Sequence, residues 1–99
     1  MSVQMASAKI NPESVIDVRA AASKLFAVLN AAQPRGVRYG WGLLADGETF
    51  VAMVEVEDGV ENPIPGFPEF RELQEVVQGS RAEPPDVQPL TVIGSYRLF

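Results

Sequence analysis

Two residue types that carry much of enzyme chemistry are missing from this chain: among its 99 residues there is no histidine and no cysteine. Without histidine there is no imidazole general base, no Ser/His/Asp triad, and no imidazole ligand for zinc or haem iron. Without cysteine, disulfides, thiolate metal sites and thiolate nucleophiles are excluded, which is compatible with a reducing compartment. Positive charge is scarce too. Eight Lys and Arg against thirteen Asp and Glu leave a net charge of −5, which repels phosphate backbones and anionic membrane surfaces. No run approaches the roughly 18 apolar residues of a membrane span, and the first residues lack the basic-then-apolar layout of a secretory signal. A cytoplasmic protein that binds neither nucleic acid nor membrane is the expectation.

What is present describes an ordinary folded chain, with 46% hydrophobic and 21% charged residues. A chain of this length has room for one core and buries about two-thirds of its unfolded surface. One α+β domain over residues 1–99 is therefore expected.

From Ser2 to Ile10 small and apolar residues alternate loosely with Gln4 and Lys9, a strand signal ended by Asn11-Pro12. Asn11 suits a helix N-cap and Pro12 the first helical position, where the missing N–H costs nothing. Val15, Val18, Ala22, Leu25, Phe26 and Leu29 then recur at three- and four-residue steps, the stripe of a helix laid on a sheet. Pro34 closes that helix.

Between Val37 and Val56 the dipeptide Asp46-Gly47 predicts a hairpin with a two-residue type I′ turn. Counting outward pairs Leu43 with Phe50, Trp41 with Ala52, Tyr39 with Val54 and Val37 with Val56, one apolar face to lie under the helices. On the reverse face Leu44 pairs with Thr49, Gly42 with Val51, Gly40 with Met53, and Arg38 with Glu55 as a cross-strand ion pair. That reverse face is half apolar, whereas a solvated sheet face alternates to polar residues. Gly40, Gly42, Leu44, Val51 and Met53 therefore predict a cover, and a second copy of the chain is the simplest one. Scattered exposed hydrophobic residues on a monomer are the other reading.

Glu57 to Phe67 is a long loop punctuated by Asp58-Gly59, Asn62-Pro63 and Pro65-Gly66, with Ile64 and Phe67 as apolar anchors. Pro68 opens a second helix with Phe70, Leu73, Val76 and Val77 inward and a stop at Gly79. After a polar, proline-rich connection, Leu90, Val92, Tyr96 and Leu98 alternate with Thr91, Ser95 and Arg97 as a last strand.

The order strand, helix, hairpin, helix, strand, with a Pro-Gly-rich loop ahead of Phe67-Pro68-Glu69-Phe70-Arg71-Glu72-Leu73, resembles the ferredoxin-like dimeric α+β barrel superfamily. Its antibiotic-biosynthesis-monooxygenase-like branch is the most similar. The resemblance implies an antiparallel βαββαβ sheet with two helices on one face, a homodimer, and a pocket between sheet and helices in each subunit. It also implies either a cofactor-independent oxygenase or isomerase acting on an aromatic or polyketide-like compound, or a noncatalytic dimeric module that binds a small molecule or a protein. The histidine that haem-degrading relatives carry on the second helix is absent. Where many members carry a tryptophan late in the third strand, this chain reads Val54-Glu55-Val56-Glu57, so the resemblance transfers no catalytic residue.

Tyr39, Trp41 and Phe50 on the inward hairpin face, with Tyr96 beside them, could line a pocket for a flat aromatic ligand. Core packing accounts for the same residues. A catalytic pocket of this kind would work by substrate assistance, with a tyrosine or carboxylate deprotonating a phenolic substrate whose anion reacts with oxygen, and needs neither metal nor flavin. Glu55, Glu57, Asp58 and Glu61 form a local acidic group without the calcium-loop spacing, which reads as a solvated strand end. The same element order serves RNA-recognition modules, but Glu48-Thr-Phe-Val-Ala-Met-Val-Glu-Val lacks their basic aromatic strand motif.

Overall fold

A computed structural model describes residues 2–84 and 86–96. Strand β1 (Ser2–Lys9) leads through a short 3₁₀ turn to helix α1 (Val15–Ala32). The hairpin β2 (Val37–Leu43) and β3 (Thr49–Val56) follows, then helix α2 (Pro68–Ser80) and strand β4 (Asp86–Pro89). The sheet runs β2-β3-β1-β4 and every pairing is antiparallel. This is the ferredoxin-like α+β arrangement expected from the sequence.

The central strands carry the predicted register, with Trp41 opposite Ala52 and Tyr39 opposite Val54. Their inward face meets the helices in one core built on Ile10, Val18, Leu25, Leu29, Phe50, Ile64 and Leu73. Val18 and Leu25 are wholly buried, so the three- and four-residue stripe of α1 does face the sheet. The two helices are also tied at their surface by the Lys24–Glu72 ion pair at 3.0 Å.

Several local details depart from the sequence expectations. Asn11 offers no side-chain cap: its backbone carbonyl accepts from the Ser14 N–H, and a 3₁₀ turn over Pro12–Ser14 delays the α-helix to Val15. Helix α1 ends on Gln33 at φ +49°, whose N–H bonds the Leu29 carbonyl, a left-handed cap supplied without glycine. Helix α2 runs through Gly79 to Ser80, which is buried.

The hairpin keeps its register but not its predicted turn. Gly47 has φ +74° while Asp46 does not enter the left-handed region, so the two positive φ angles of a type I′ turn are not both present. The Gly47 N–H bonds the Leu44 carbonyl and the Leu44 N–H bonds the Thr49 carbonyl, giving a four-residue loop. Asp46 stabilises that loop: its carboxylate accepts from the Glu48 and Thr49 N–H groups at 2.9 Å each and from the Thr49 hydroxyl at 2.6 Å. These bonds hold the Asp46 carboxyl below its ordinary value near 3.8, the Thr49 hydroxyl contributing most.

The larger correction concerns the last strand. Expected over Leu90 to Leu98, it instead covers Asp86–Pro89 and pairs with β1 from Gln4↔Pro89 to Ser7↔Asp86. Its proline is tolerated because β4 lies at a sheet edge, where one ladder donor can be spared. The Leu90 N–H continues the contact to the Val3 carbonyl, while Ile93 and Tyr96 stand exposed. Arg97 and Leu98 lie outside the described residues.

Arg38 and Glu55 are register partners, yet the expected ion pair does not form. Arg38 is exposed, whereas Glu55 is buried and its Oε2 has no hydrogen-bond partner among the described residues.

Candidate functional site

A cleft of about 320 Å³ opens between the sheet and α2. Its floor exists because small residues occupy inward positions where large ones would fill the space. Ala6 of β1 faces Ala52 of β3 across the ladder, and Ala8 lies two residues further along β1. Around this floor stand Tyr39, Trp41 and Phe50, and across it Phe70, Leu73 and Val77 of α2. Core packing and pocket lining are thus both served by the hairpin aromatics. Phe50 is buried with the core, while Tyr39 and Trp41 are half-buried along the cleft.

Two contacts fix the aromatic wall. Tyr39 stacks on Phe26 of α1 with ring centroids 5.5 Å apart and 23° between planes, and Trp41 leans on Phe50 at 5.8 Å and 56°. On β2, where residues two apart share a face, the Trp41 indole N–H donates to the Tyr39 Oη at 2.7 Å. Burial pushes the Tyr39 phenol above its ordinary value of 10, with the Trp41 bond pulling the other way. The phenol is therefore protonated at neutral pH. Its oxygen accepts from Trp41, so its O–H is the donor Tyr39 has to offer in the cleft.

The polar groups around the opening are amides and one guanidinium. Asn62 holds the 3₁₀ turn before α2, its Oδ1 accepting the Ile64 N–H at 3.0 Å, which leaves its amide N–H₂ as the unspent end. Gln4, Gln74, Gln78 and Arg81 join it, Ser7 lies in the β1 part of the lining, and no carboxylate lines the cleft among the described residues. Of the tyrosine or carboxylate base that the sequence suggests, the described lining holds Tyr39, with its phenol pushed up by burial, and no carboxylate.

Tyr39, Trp41 and Phe50 come together as one wall, but Tyr96 does not join them. It is 83% exposed and does not line the cleft, because the chain ahead of it leaves the sheet after Leu90. The residues that sequence reasoning missed are the small ones. Alanine opposite tryptophan in the hairpin register was the available signal, since an inward strand position of that kind leaves room.

The reverse sheet face holds Gly40, Gly42, Leu44, Val51 and Met53. A Cβ at Gly40 or Gly42 would meet nothing within 4 Å, and Leu44 is 50% exposed. Glu55, Glu57, Asp58 and Glu61 do not converge: among the described residues no three His, Cys, Asp or Glu side chains are placed to hold a metal ion. No helix among them is long and apolar enough to cross a membrane.

No protein-family model matches this sequence, and no curated protein matches it. Solved structures do match the fold. Rv0793 from Mycobacterium tuberculosis is 19% identical with a TM-score of 0.73, over 95% of this chain and 96% of that one. A candidate antibiotic biosynthesis monooxygenase from Nitrosomonas europaea is 14% identical with a TM-score of 0.74, over 93% and 89%. A third structure, of an antibiotic biosynthesis monooxygenase, is 16% identical with a TM-score of 0.70, over 95% and 100%. The chain therefore has the ferredoxin-like α+β fold of antibiotic-biosynthesis-monooxygenase-like proteins, the resemblance its element order carried.

Proposed function

We propose that this protein is a small homodimer that binds a flat aromatic or polyketide-like compound in the Tyr39–Trp41 cleft and oxygenates it without metal or flavin. The observation that carries this reading is the cleft itself: an aromatic wall facing an alanine floor, with a polar lip and room for a fused-ring molecule. Its fold is that of proteins described as antibiotic biosynthesis monooxygenases, which supplies the reaction class by analogy.

The chemistry suited to such a site belongs to the substrate. A hydroxylated ring system with an acidic CH₂, once ionised, donates electrons to dioxygen, and the CH₂ becomes a carbonyl. One oxygen atom stays on carbon and the other leaves as water with the two hydrogens, so the substrate supplies all four electrons. The protein's part is to hold the ring plane against Trp41, donate from the Tyr39 O–H to a developing oxyanion, and limit water.

The second copy belongs on the reverse face. Gly40 and Gly42 leave open space there, so another backbone or side chain can approach closely, and Leu44, Val51 and Met53 supply apolar area.

Oxygen uptake with a hydroxylated anthrone tests the reaction. The expectation is one O₂ consumed per ketone formed, slowed at least about tenfold in Tyr39→Phe and Trp41→Phe. Uptake unchanged in both variants contradicts the oxygenase reading. The protonated Tyr39 and the absence of a carboxylate among the described lining residues favour a second reading, a noncatalytic dimeric module that binds the same class of molecule. Saturable binding with no oxygen uptake selects it.

A further inference from the structure

The protein is acidic overall, yet the one charged side chain lining its cleft among the described residues is a cation, Arg81. No carboxylate among those residues lies within 4.0 Å of its guanidinium, since the Lys24–Glu72 contact is the ion pair the structure holds there. Its backbone is also firmly placed, with the side chain exposed at the rim. Ile10 and Arg81 form a β-bridge, and the chain on either side is bonded to the end of β1, the Ser80 carbonyl accepting from Asn11 at 2.8 Å and the Ala82 N–H donating to Lys9 at 2.7 Å. An unpaired arginine on a fixed backbone is a ready partner for an oxyanion, which it can meet with two parallel N–H groups.

Two of the other polar groups, Tyr39 and Asn62, agree in sign. Tyr39 has its O–H to give because its oxygen accepts from Trp41, and Asn62 has its N–H₂ to give because its carbonyl is spent on Ile64. The cleft therefore offers a cation and two committed donors, its glutamines can turn either end inward, and it has no anionic acceptor among the described residues. A cationic ligand would find no counter-charge, and a neutral hydrocarbon would leave these donors unpaired.

Building on the proposed binding of a flat aromatic compound, we propose that the ligand is an aromatic oxyanion whose ring system lies along Trp41 and whose anionic oxygens are bound by Arg81. Aromatic hydroxy-acids and acidic phenols or enols share this chemistry. The charge also answers the lack of a carboxylate base among the described lining residues: the substrate enters already ionised, its proton given to solvent before it binds, and the guanidinium holds it in that form.

The test is calorimetric titration of the intact protein with 1-hydroxy-2-naphthoate and with its uncharged twin, 1-hydroxy-2-naphthamide. The carboxylate is expected to bind about tenfold or more tightly, with a preference that shrinks as salt is raised. Arg81→Gln is expected to bring the carboxylate down to the amide's affinity while leaving the amide's own affinity within about twofold, and Arg81→Lys to keep part of the preference. Equal binding of the two compounds by the unaltered protein, or a preference that survives Arg81→Gln, overturns the proposal, as does failure of both compounds to bind. The readout is separate from oxygen uptake. A carboxylate preference that depends on Arg81 in a protein that consumes no oxygen sustains this inference and removes the oxygenase reading.

Discussion

The Trp41 indole N–H donates to the Tyr39 hydroxyl at 2.7 Å, binding two side chains of one strand into a single rigid wall of the cleft. Both groups are half-buried, so each would lose a partner it cannot fully regain from water. Tyr39→Phe should therefore destabilise the fold by about 1–2 kcal/mol in chemical denaturation, with a shift in the emission of the chain's single tryptophan. Stability and emission both unchanged would mean that this hydrogen bond is not formed in solution.

The buried phenol predicts a pH dependence of definite sign. Because burial holds the Tyr39 proton more tightly in the folded state than in the unfolded one, its contribution is fully present below the ordinary value of 10 and is lost as pH rises through the folded value. Difference absorbance between the unaltered protein and Tyr39→Phe should show phenolate appearing above pH 10, and melting temperature should fall over the same range. Ionisation of Tyr39 at or below 10 would contradict the placement of its ring.

Asp46 predicts the opposite edge of the pH range. Its carboxyl is held low by the Thr49 hydroxyl and the Glu48 and Thr49 N–H groups, so its contribution is present above its ordinary value and is lost as pH falls through the folded value. Thermal melts below pH 4 should decline more steeply in the unaltered protein than in Asp46→Asn, which keeps an acceptor but cannot titrate. Parallel declines would show that the turn is not held by this carboxylate.

Core and cleft can be separated by two substitutions. Leu25 is wholly buried and does not line the cleft, so Leu25→Ala should cost about 2–5 kcal/mol of stability while ligand binding in the folded fraction persists. Ala52→Leu acts on the cleft instead: it fills the floor beside Trp41 and should abolish binding at a stability cost of about 1–3 kcal/mol at most. Retention of binding by Ala52→Leu would move the ligand elsewhere.

The reverse face is tested by Gly42→Val and Met53→Glu. Each has room or exposure within one chain, so folding should survive. Sedimentation should show the unaltered protein as a dimer at micromolar concentration and both variants as monomers. A monomer from the start would remove the second copy and leave Gly40 and Gly42 without a reason.

These particulars show what the sequence conveys and where it falls silent. The hairpin register was legible because Asp46-Gly47 centres it and a one-residue slip would turn Trp41 and Phe50 outward. The turn type was not, because it depends on how the Asp46 carboxylate competes for backbone N–H groups. The last strand was misread for a related reason: Leu90, Val92 and Tyr96 alternate as a strand should, while Asp86–Pro89 looks like a loop and is made a strand by the free edge of β1. The aromatic wall of the site could be read as a stripe. The cleft could not, because it is made by what Ala6, Ala8 and Ala52 leave empty, and Arg81 reaches its rim through a bridge to Ile10, far away in the chain.

Binding of a flat aromatic molecule beside Trp41 can be followed through the fluorescence of that residue, the chain's single tryptophan. Titration with 1-hydroxy-2-naphthoate should give saturable quenching at one molecule per chain in the unaltered protein and none beyond simple absorption in Ala52→Leu. Quenching that fails to saturate, or that is the same in both proteins, would contradict such binding.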